Sequence, residues 1–143
     1  MFAVEIHPVR ASDEVKALLA TSELPTDDLD DPSIALYGVS EAGRLIGVVG
    51  VQLLGGTGLL RSLAVDPSAR DRGLGGQLCE RVLHEARVRG LTELWLLTTS
   101  AGDYFARRGF EVVPRDQTPS AVRSTAQFTS LCPASAVVMR RPL

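Results

Sequence analysis

The period of apolar and polar positions changes at regular intervals along the chain, and each change marks an element. Residues 3–9 (AVEIHPV) alternate and predict a first strand. Ser12 and Asp13 supply capping side chains, and Val15, Leu18 and Leu19 fall on one helical face, which predicts a helix over 13–20. The stretch ELPTDDLDDP (23–32) is polar and turn-rich, with one short helix expected at 26–29, capped by Thr26 or Asp27. Residues 33–39 (SIALYGV) predict a strand, EAGR (41–44) a hairpin turn, and LIGVVGVQLL (45–54) the next strand. GGTG (55–58) turns the chain into LLRSLAV (59–65). Tight turns join antiparallel neighbours, so these three strands predict an antiparallel meander.

From Gly73 to Arg89 the period becomes helical. Leu74, Leu78, Val82, Leu83 and Ala86 form an apolar stripe, and Gly90 stops the helix. ELWLLTT (93–99) is a continuous apolar run, as expected for a strand buried on both faces. Ala101–Arg108 predicts a short helix ended by Gly109, and FEVVP (110–114) a strand. Pro119 opens a helix expected to run to Ser130, and SAVVMR (135–140) closes the chain as a strand. The order is β-α-(α)-βββ-α-β-α-β-α-β. A meander followed by a crossover helix implies an α/β fold with a mixed central sheet and flanking helices. Residues 1–143 contain no repeat, linker or low-complexity segment and read as a single domain.

Composition narrows the function classes. A formal net charge of −2, with no basic tract, argues against nucleic-acid or anionic-membrane partners. Lys16 is the only lysine. Cys79 and Cys132 make neither a disulfide framework nor a zinc pattern. The opening MFAVEIHPVR lacks signal-peptide character, and no run approaches the roughly 18 apolar residues of a membrane helix. A soluble protein of a reducing cytoplasm is expected, without a metal.

The chemistry concentrates in LLRSLAVDPSARDRGLGGQL (59–78). An apolar strand meets Asp66-Pro67, then a basic, glycine-studded turn, then the long amphipathic helix. The amides of Asp71, Arg72, Gly73, Leu74, Gly75 and Gly76 are positioned to converge on an anion at a helix start. Gly73, Gly75 and Gly76 allow close backbone approach, and the Arg70 and Arg72 forks suit phosphate. A P-loop needs G-x-x-x-x-G-K-[ST], and the lone lysine is elsewhere. A dinucleotide fingerprint needs an acidic residue after the next strand, which here ends in Thr98-Thr99.

The spacing Arg70-x-x-Gly73-x-Gly75 resembles the pyrophosphate loop of the GNAT acetyltransferases, and Ser62-Leu63-Ala64-Val65 resembles their cofactor strand. The order of elements is also that of the GNAT fold. The resemblance implies acetyl-CoA as co-substrate, held between two splayed strands. It gives main-chain roles to Leu63 and Val65, flanking Ala64, including a donor to the thioester carbonyl. The family's second signature, Asn-x-x-Ala-x-x-x-Tyr-x-x-x-Gly-Phe, reads here Thr98-x-x-Ala101-x-x-x-Phe105-x-x-x-Gly109-Phe110. Phe105 stands where that family often has the tyrosine that protonates the leaving thiolate. Tyr104 is the neighbouring candidate acid, although one helical step turns a side chain by about 100°. A thiolate with pKa near 8.5 also leaves with little help.

LPTDDL (24–29), LTTSAGDYFARRGF (97–110) and SAVRSTAQFTSLCPASAVVM (120–139) together resemble the small GNAT proteins associated with bacterial arsenic resistance, and more distantly acetyltransferases of glutamate-like amino acids. That implies a small amino-acid-like amine as partner and a role in resistance or detoxification. Its anionic groups need arginines or hydroxyls, for which Arg61, Ser62, Thr98, Thr99, Arg123 and Ser124 are the candidates. No spacing places a base: Glu5, His7, Glu41, Glu93 and Asp103 are titratable but unassigned. Acetylation of protein N-termini or lysines is a second reading. Acetyl-CoA binding without catalysis is a third, because Phe105 cannot donate a proton. The family often dimerises, so a homodimer is admitted, although no apolar patch marks an interface.

Overall fold

Two tight turns set up the sheet. The computed structural model describes residues 5–143. Strand β2 (Ile34–Glu41) returns as β3 (Arg44–Leu54) through Ala42 and Gly43, both with positive φ (52° and 77°). β3 returns as β4 (Thr57–Val65) through Gly55, at φ 78°, and Gly56. Two-residue turns with positive φ match the right-handed twist of the strands they join. The second turn is one residue pair tighter than GGTG suggests, so β4 starts at Thr57 rather than 59.

With β1 (His7–Val9), β5 (Glu93–Thr98), β6 (Glu111–Val113) and β7 (Val137–Pro142), the strands form one seven-stranded sheet in the order β1-β2-β3-β4-β5-β7-β6. Every neighbouring pair is antiparallel except β4 and β5. This is the mixed sheet with flanking helices that the order of elements predicts. The first strand is shorter than expected, and residues 3 and 4 of that prediction lie outside the described residues.

Helix α2 (Leu74–Val88) is the crossover between β4 and β5. Its stripe of Leu74, Leu78, Val82, Leu83 and Ala86 packs on one sheet face with Val49, Val51, Leu94 and Leu96. Helix α3 (Gly102–Ala106) adds Phe105 to the same core. On the opposite face, α1 (Asp13–Thr21) buries Val15, Leu18 and Leu19 against Leu36, Leu45 and Val48. Ser12 caps it by accepting from the Val15 N–H at 3.2 Å. Leu78 is fully buried in the core beneath α2. Leu78→Ala is expected to lower unfolding free energy by about 3 kcal/mol in urea titration, within the roughly 2–5 kcal/mol range for buried leucine truncations.

Two helix expectations change. Residues 26–29 form turns, with Leu29 N–H bonded to Thr26 O and Asp31 N–H to Asp28 O, because the aspartates favour turn geometry. The helix expected over 119–130 divides into α4 (Ser120–Arg123) and a π-helical turn (Gln127–Leu131). Hydroxyls interrupt it: Thr125 Oγ1 donates to Val122 O and accepts from Phe128 N–H, and Thr129 and Ser130 hydroxyls donate to Thr125 O and Ala126 O. Among the described residues no helix is long and apolar enough to cross a membrane.

Candidate active site

β4 and β5 pair only at Thr57–Glu93, Gly58–Leu94 and Leu59–Trp95. Beyond Leu59 they part. β5 follows its other neighbour, β7, along its whole length. β4 is bent away by a bulge: Gly50 pairs with Arg61 and Val48 with Ala64, so Ser62 and Leu63 together oppose Val49. An extra residue on one strand bends it and increases its twist. Ser62 adopts φ 59°, a left-handed conformation that costs a non-glycine residue about 1 kcal/mol.

The bulge is held from below. Arg61 Nε donates to Ser62 Oγ at 3.1 Å, and its two terminal nitrogens donate to both Asp28 carboxylate oxygens at 2.5 Å. The Arg61 side chain is 0% exposed and that of Asp28 12%. Such a pair fixes the 22–31 loop against the bent strand, because neither charge is stable there alone.

The gap between the parted strands opens into a cavity of about 360 Å³. β4 contributes Leu60 to Leu63, and β5 with its following turn contributes Leu96 to Ala101. Ser22 to Pro25 form a second wall, Leu131 to Pro133 with Ala136 a third, and Tyr104 and Phe105 of α3 close the end. Arg61, Ser62, Thr98 and Thr99 are therefore gathered at one cavity, as are Leu63, Tyr104 and Phe105. Thr98 Oγ1 also caps the turn into α3, accepting from the Ala101 N–H at 2.9 Å. Arg123 and Ser124 lie elsewhere: both are exposed, at the last residue of α4 and its C-cap, and the Ser124 hydroxyl returns to Ser120 O. The segment after them supplies the wall instead.

Three wall residues carry no sequence signal. Glu23 is a carboxylate on the wall with φ 56°, and Ser22 and Ser100 add hydroxyls. Of the candidate bases named from the sequence, Glu5, His7, Glu41, Glu93 and Asp103, none lines this cavity. Glu41 pairs with Arg72, Glu93 pairs with Arg140 and accepts from the Trp95 indole, and Glu5 and His7 line a separate groove. Cys132 lines the cavity with its thiol pushed up by burial. Cys79 is buried, and both are free thiols.

The turn before α2 begins at Asp66, whose carboxylate accepts the Ser68 hydroxyl and N–H and pairs with Arg44. Those Ser68 bonds hold it below the usual carboxylate range, with Arg44 adding to them. Asp71 (φ 64°) and Gly73 (φ 76°) are left-handed, and no side chain caps the helix that follows. The first N–H groups of α2, at Leu74, Gly75 and Gly76, thus form an uncapped positive helix end. Arg70 is exposed and reaches Val65 O at 3.4 Å, while Arg72 turns toward Glu41.

Gly75 and Gly76 have a second reason to lack side chains. A Cβ on Gly75 would sit 2.8 Å from the Tyr104 hydroxyl, and one on Gly76 would sit 2.7 Å from the Arg108 guanidinium. Tyr104 stacks edge-on against Phe105, which meets Phe110 in the same way. Burial, then the nearby Cys79 thiol, raises the Tyr104 phenol above its ordinary value, while Arg108 opposes the shift. Burial pushes Cys79 itself to about 11. Tyr104 is therefore a neutral phenol, able to donate, throughout the physiological range.

Residues 4–110 match the family model described as the acetyltransferase (GNAT) family. The chain belongs to that family. Among curated relatives it is 43% identical over 72 residues to the amino-acid acetyltransferase of Pseudomonas syringae pv. syringae, covering 50% of this chain and 17% of that protein. It is 38% identical over 66 residues to that of Neisseria meningitidis, covering 46% and 15%. The chain spans about a sixth of the length of these relatives. Among solved structures, the N-acetylglutamate synthase of Neisseria gonorrhoeae, complexed with coenzyme A and N-acetyl-glutamate, superimposes with TM-score 0.84 at 25% identity, over 100% of this chain and 36% of that one. A GNAT-family acetyltransferase of Staphylococcus aureus Mu50 gives TM-score 0.81 at 17% identity over 99% of both chains, a likeness of fold.

Proposed function

We propose that this GNAT protein transfers the acetyl group of acetyl-CoA to the primary amine of a small amino-acid-like acceptor. The observation that carries the reading is the parted β4–β5 pair, with an uncapped helix start beside it and a cavity in the gap whose wall combines apolar side chains with hydroxyls. The residues present fit the co-substrate. The left-handed Asp71 and Gly73 and the first α2 amides suit a diphosphate, and the unpaired edge of β4 suits the amides of an extended pantetheine arm. The name of the curated relatives and the ligands of the gonococcal structure support an amino-acid acceptor.

Acetyl-CoA supplies an activated carbonyl and a thiol leaving group. Leu63 and Val65 would offer main-chain N–H groups to the carbonyl oxygen as it gains charge, which such pre-placed donors favour. Ser62, Thr98 and Thr99 offer hydroxyls to the acceptor's carboxylate, while Arg61, committed to Asp28 and Ser62, holds the bent strand that carries Ser62. Glu23 faces the incoming ammonium and orients it; its proton leaves to water. Tyr104 donates its phenol proton to the departing sulfur, and the second proton that the nitrogen sheds as the amide forms restores the phenol. A resistance role belongs to the same proposal and is supported by the stretches 24–29, 97–110 and 120–139. It makes arsenical and phosphinic glutamate analogues natural acceptors to try.

Tyr104→Phe tests the assignment of the acid. Its kcat is expected to fall roughly 100-fold, the low end for general acids because the thiol leaves readily. The phenol acts when protonated and its pKa is raised. The rate is therefore lost as pH climbs through that raised value, and the variant lacks this alkaline limb. An unchanged kcat and profile would make Tyr104 a packing residue. A protein that binds acetyl-CoA and releases no thiol with any amine would favour the binding-only reading that Phe105 suggests.

A further inference from the structure

A second groove, of about 830 Å³, runs along the outer side of α2. Gly73, Gly76 and Gln77 form its floor, and Arg81 and Arg108 reach it from either side. Arg81 has partners: it pairs with Glu85, donates to Ile6 O and lies over the Tyr37 ring. Arg108 differs. Its guanidinium stacks on Tyr104 with 4.6 Å to the ring centroid, and lies within 2.7–3.1 Å of where a Gly76 side chain would begin. Among the described residues it has no carboxylate partner, although Glu5 and Glu80 also line the groove. Its Nε is buried without a hydrogen bond.

This placement sets two positive groups side by side. A guanidinium is held against the first turn of α2, where the helix dipole is already positive. A stacked ring and a missing Cβ fix it there, and an anion between the two positive groups satisfies both. We infer that Arg108 holds the diphosphate of the coenzyme against the start of α2. The inference rests on the acetyl-CoA reading above and adds to it a side chain outside the glycine loop. Arginine is suited to the task, since its fork matches two phosphate oxygens and its charge does not titrate. Gly76 then serves Arg108 rather than the ligand directly.

The test is calorimetric binding of coenzyme A, dephospho-coenzyme A and pantetheine to the unaltered protein, Arg108→Met and Arg108→Lys. Met retains the stem over Tyr104, and Lys retains the charge without the fork. Thermal unfolding of each variant reports that the fold is kept. Arg108→Met is expected to weaken coenzyme A and dephospho-coenzyme A alike by roughly 10- to 100-fold, as for a lost charge-assisted pair of bonds. Arg108→Lys should fall between, and pantetheine, which lacks phosphate, should bind all three proteins equally. Unchanged coenzyme A affinity in Arg108→Met overturns the assignment. So does a loss confined to coenzyme A, which would place Arg108 on the 3′-phosphate, or an equal loss for pantetheine, which would make its role structural. Failure of the unaltered protein to bind coenzyme A overturns the reading beneath it, and the assignment with it.

Discussion

Asp28→Ala is expected to destabilise the protein by about 3–5 kcal/mol, the range for leaving one member of a buried ion pair alone. Arg61 has no exposed side-chain surface, and both of its terminal nitrogens face Asp28. Removing the carboxylate strands a guanidinium between the bent β4 and the 22–31 loop. The loop carries the Ser22–Pro25 wall, so the acceptor's KM should rise in whatever fraction remains folded. Arg61→Met with Asp28→Leu removes both charges and fills the same space. That double variant should recover most of the stability, since apolar replacement of a whole buried pair is often neutral or better. Urea titration of the three proteins decides the point. A loss below about 1 kcal/mol in Asp28→Ala is the value for a solvated surface pair and would contradict the account.

Gly75→Trp is expected to weaken coenzyme A binding by at least about 100-fold, a difference of roughly 2.7 kcal/mol. The indole would cover the amides at the start of α2 and would begin 2.8 Å from the Tyr104 hydroxyl. A smaller change separates crowding from occlusion. In Gly75→Ala the methyl meets the same hydroxyl, and overpacking of this kind costs about 1–3 kcal/mol. The next atom of Tyr104 is 3.7 Å away, an ordinary contact. Gly75→Ala combined with Tyr104→Phe should therefore regain the stability lost in Gly75→Ala alone. Thermal unfolding checks this coupling, and calorimetry checks the coenzyme. Additive effects of the two changes would mean that Gly75 does not answer to Tyr104.

Much of this architecture was legible in the chain because it is local. The stripe from Leu74 to Ala86, the hairpin at Ala42-Gly43 and the uncapped glycine start of α2 each follow from neighbouring residues. What was not legible depends on residues far apart. Nothing near Arg61 announces Asp28, and without that contact Arg61 reads as a free cation for the acceptor. Nothing in ELPTDD marks Glu23 as a cavity wall, since it arrives there only when the loop after α1 folds over β4. The helix expected through Ser130 failed for a local reason that composition understates. Thr125, Thr129 and Ser130 bond to main-chain groups and break the helical run, which takes Arg123 away from the cavity and brings Cys132 to it. Gly75 and Gly76 were legible as small. The side chains that require them to be small, Tyr104 and Arg108, come from α3.

The measurement that bears most directly on the central claim is acceptor-dependent thiol release from acetyl-CoA. The panel holds amino acids, phosphinic and arsenical glutamate analogues, polyamines and peptides. The account predicts release with small molecules bearing a primary amine beside a carboxylate, and none with peptides. Release restricted to peptide or lysine amines, or coenzyme A binding with no release for any member, would contradict it.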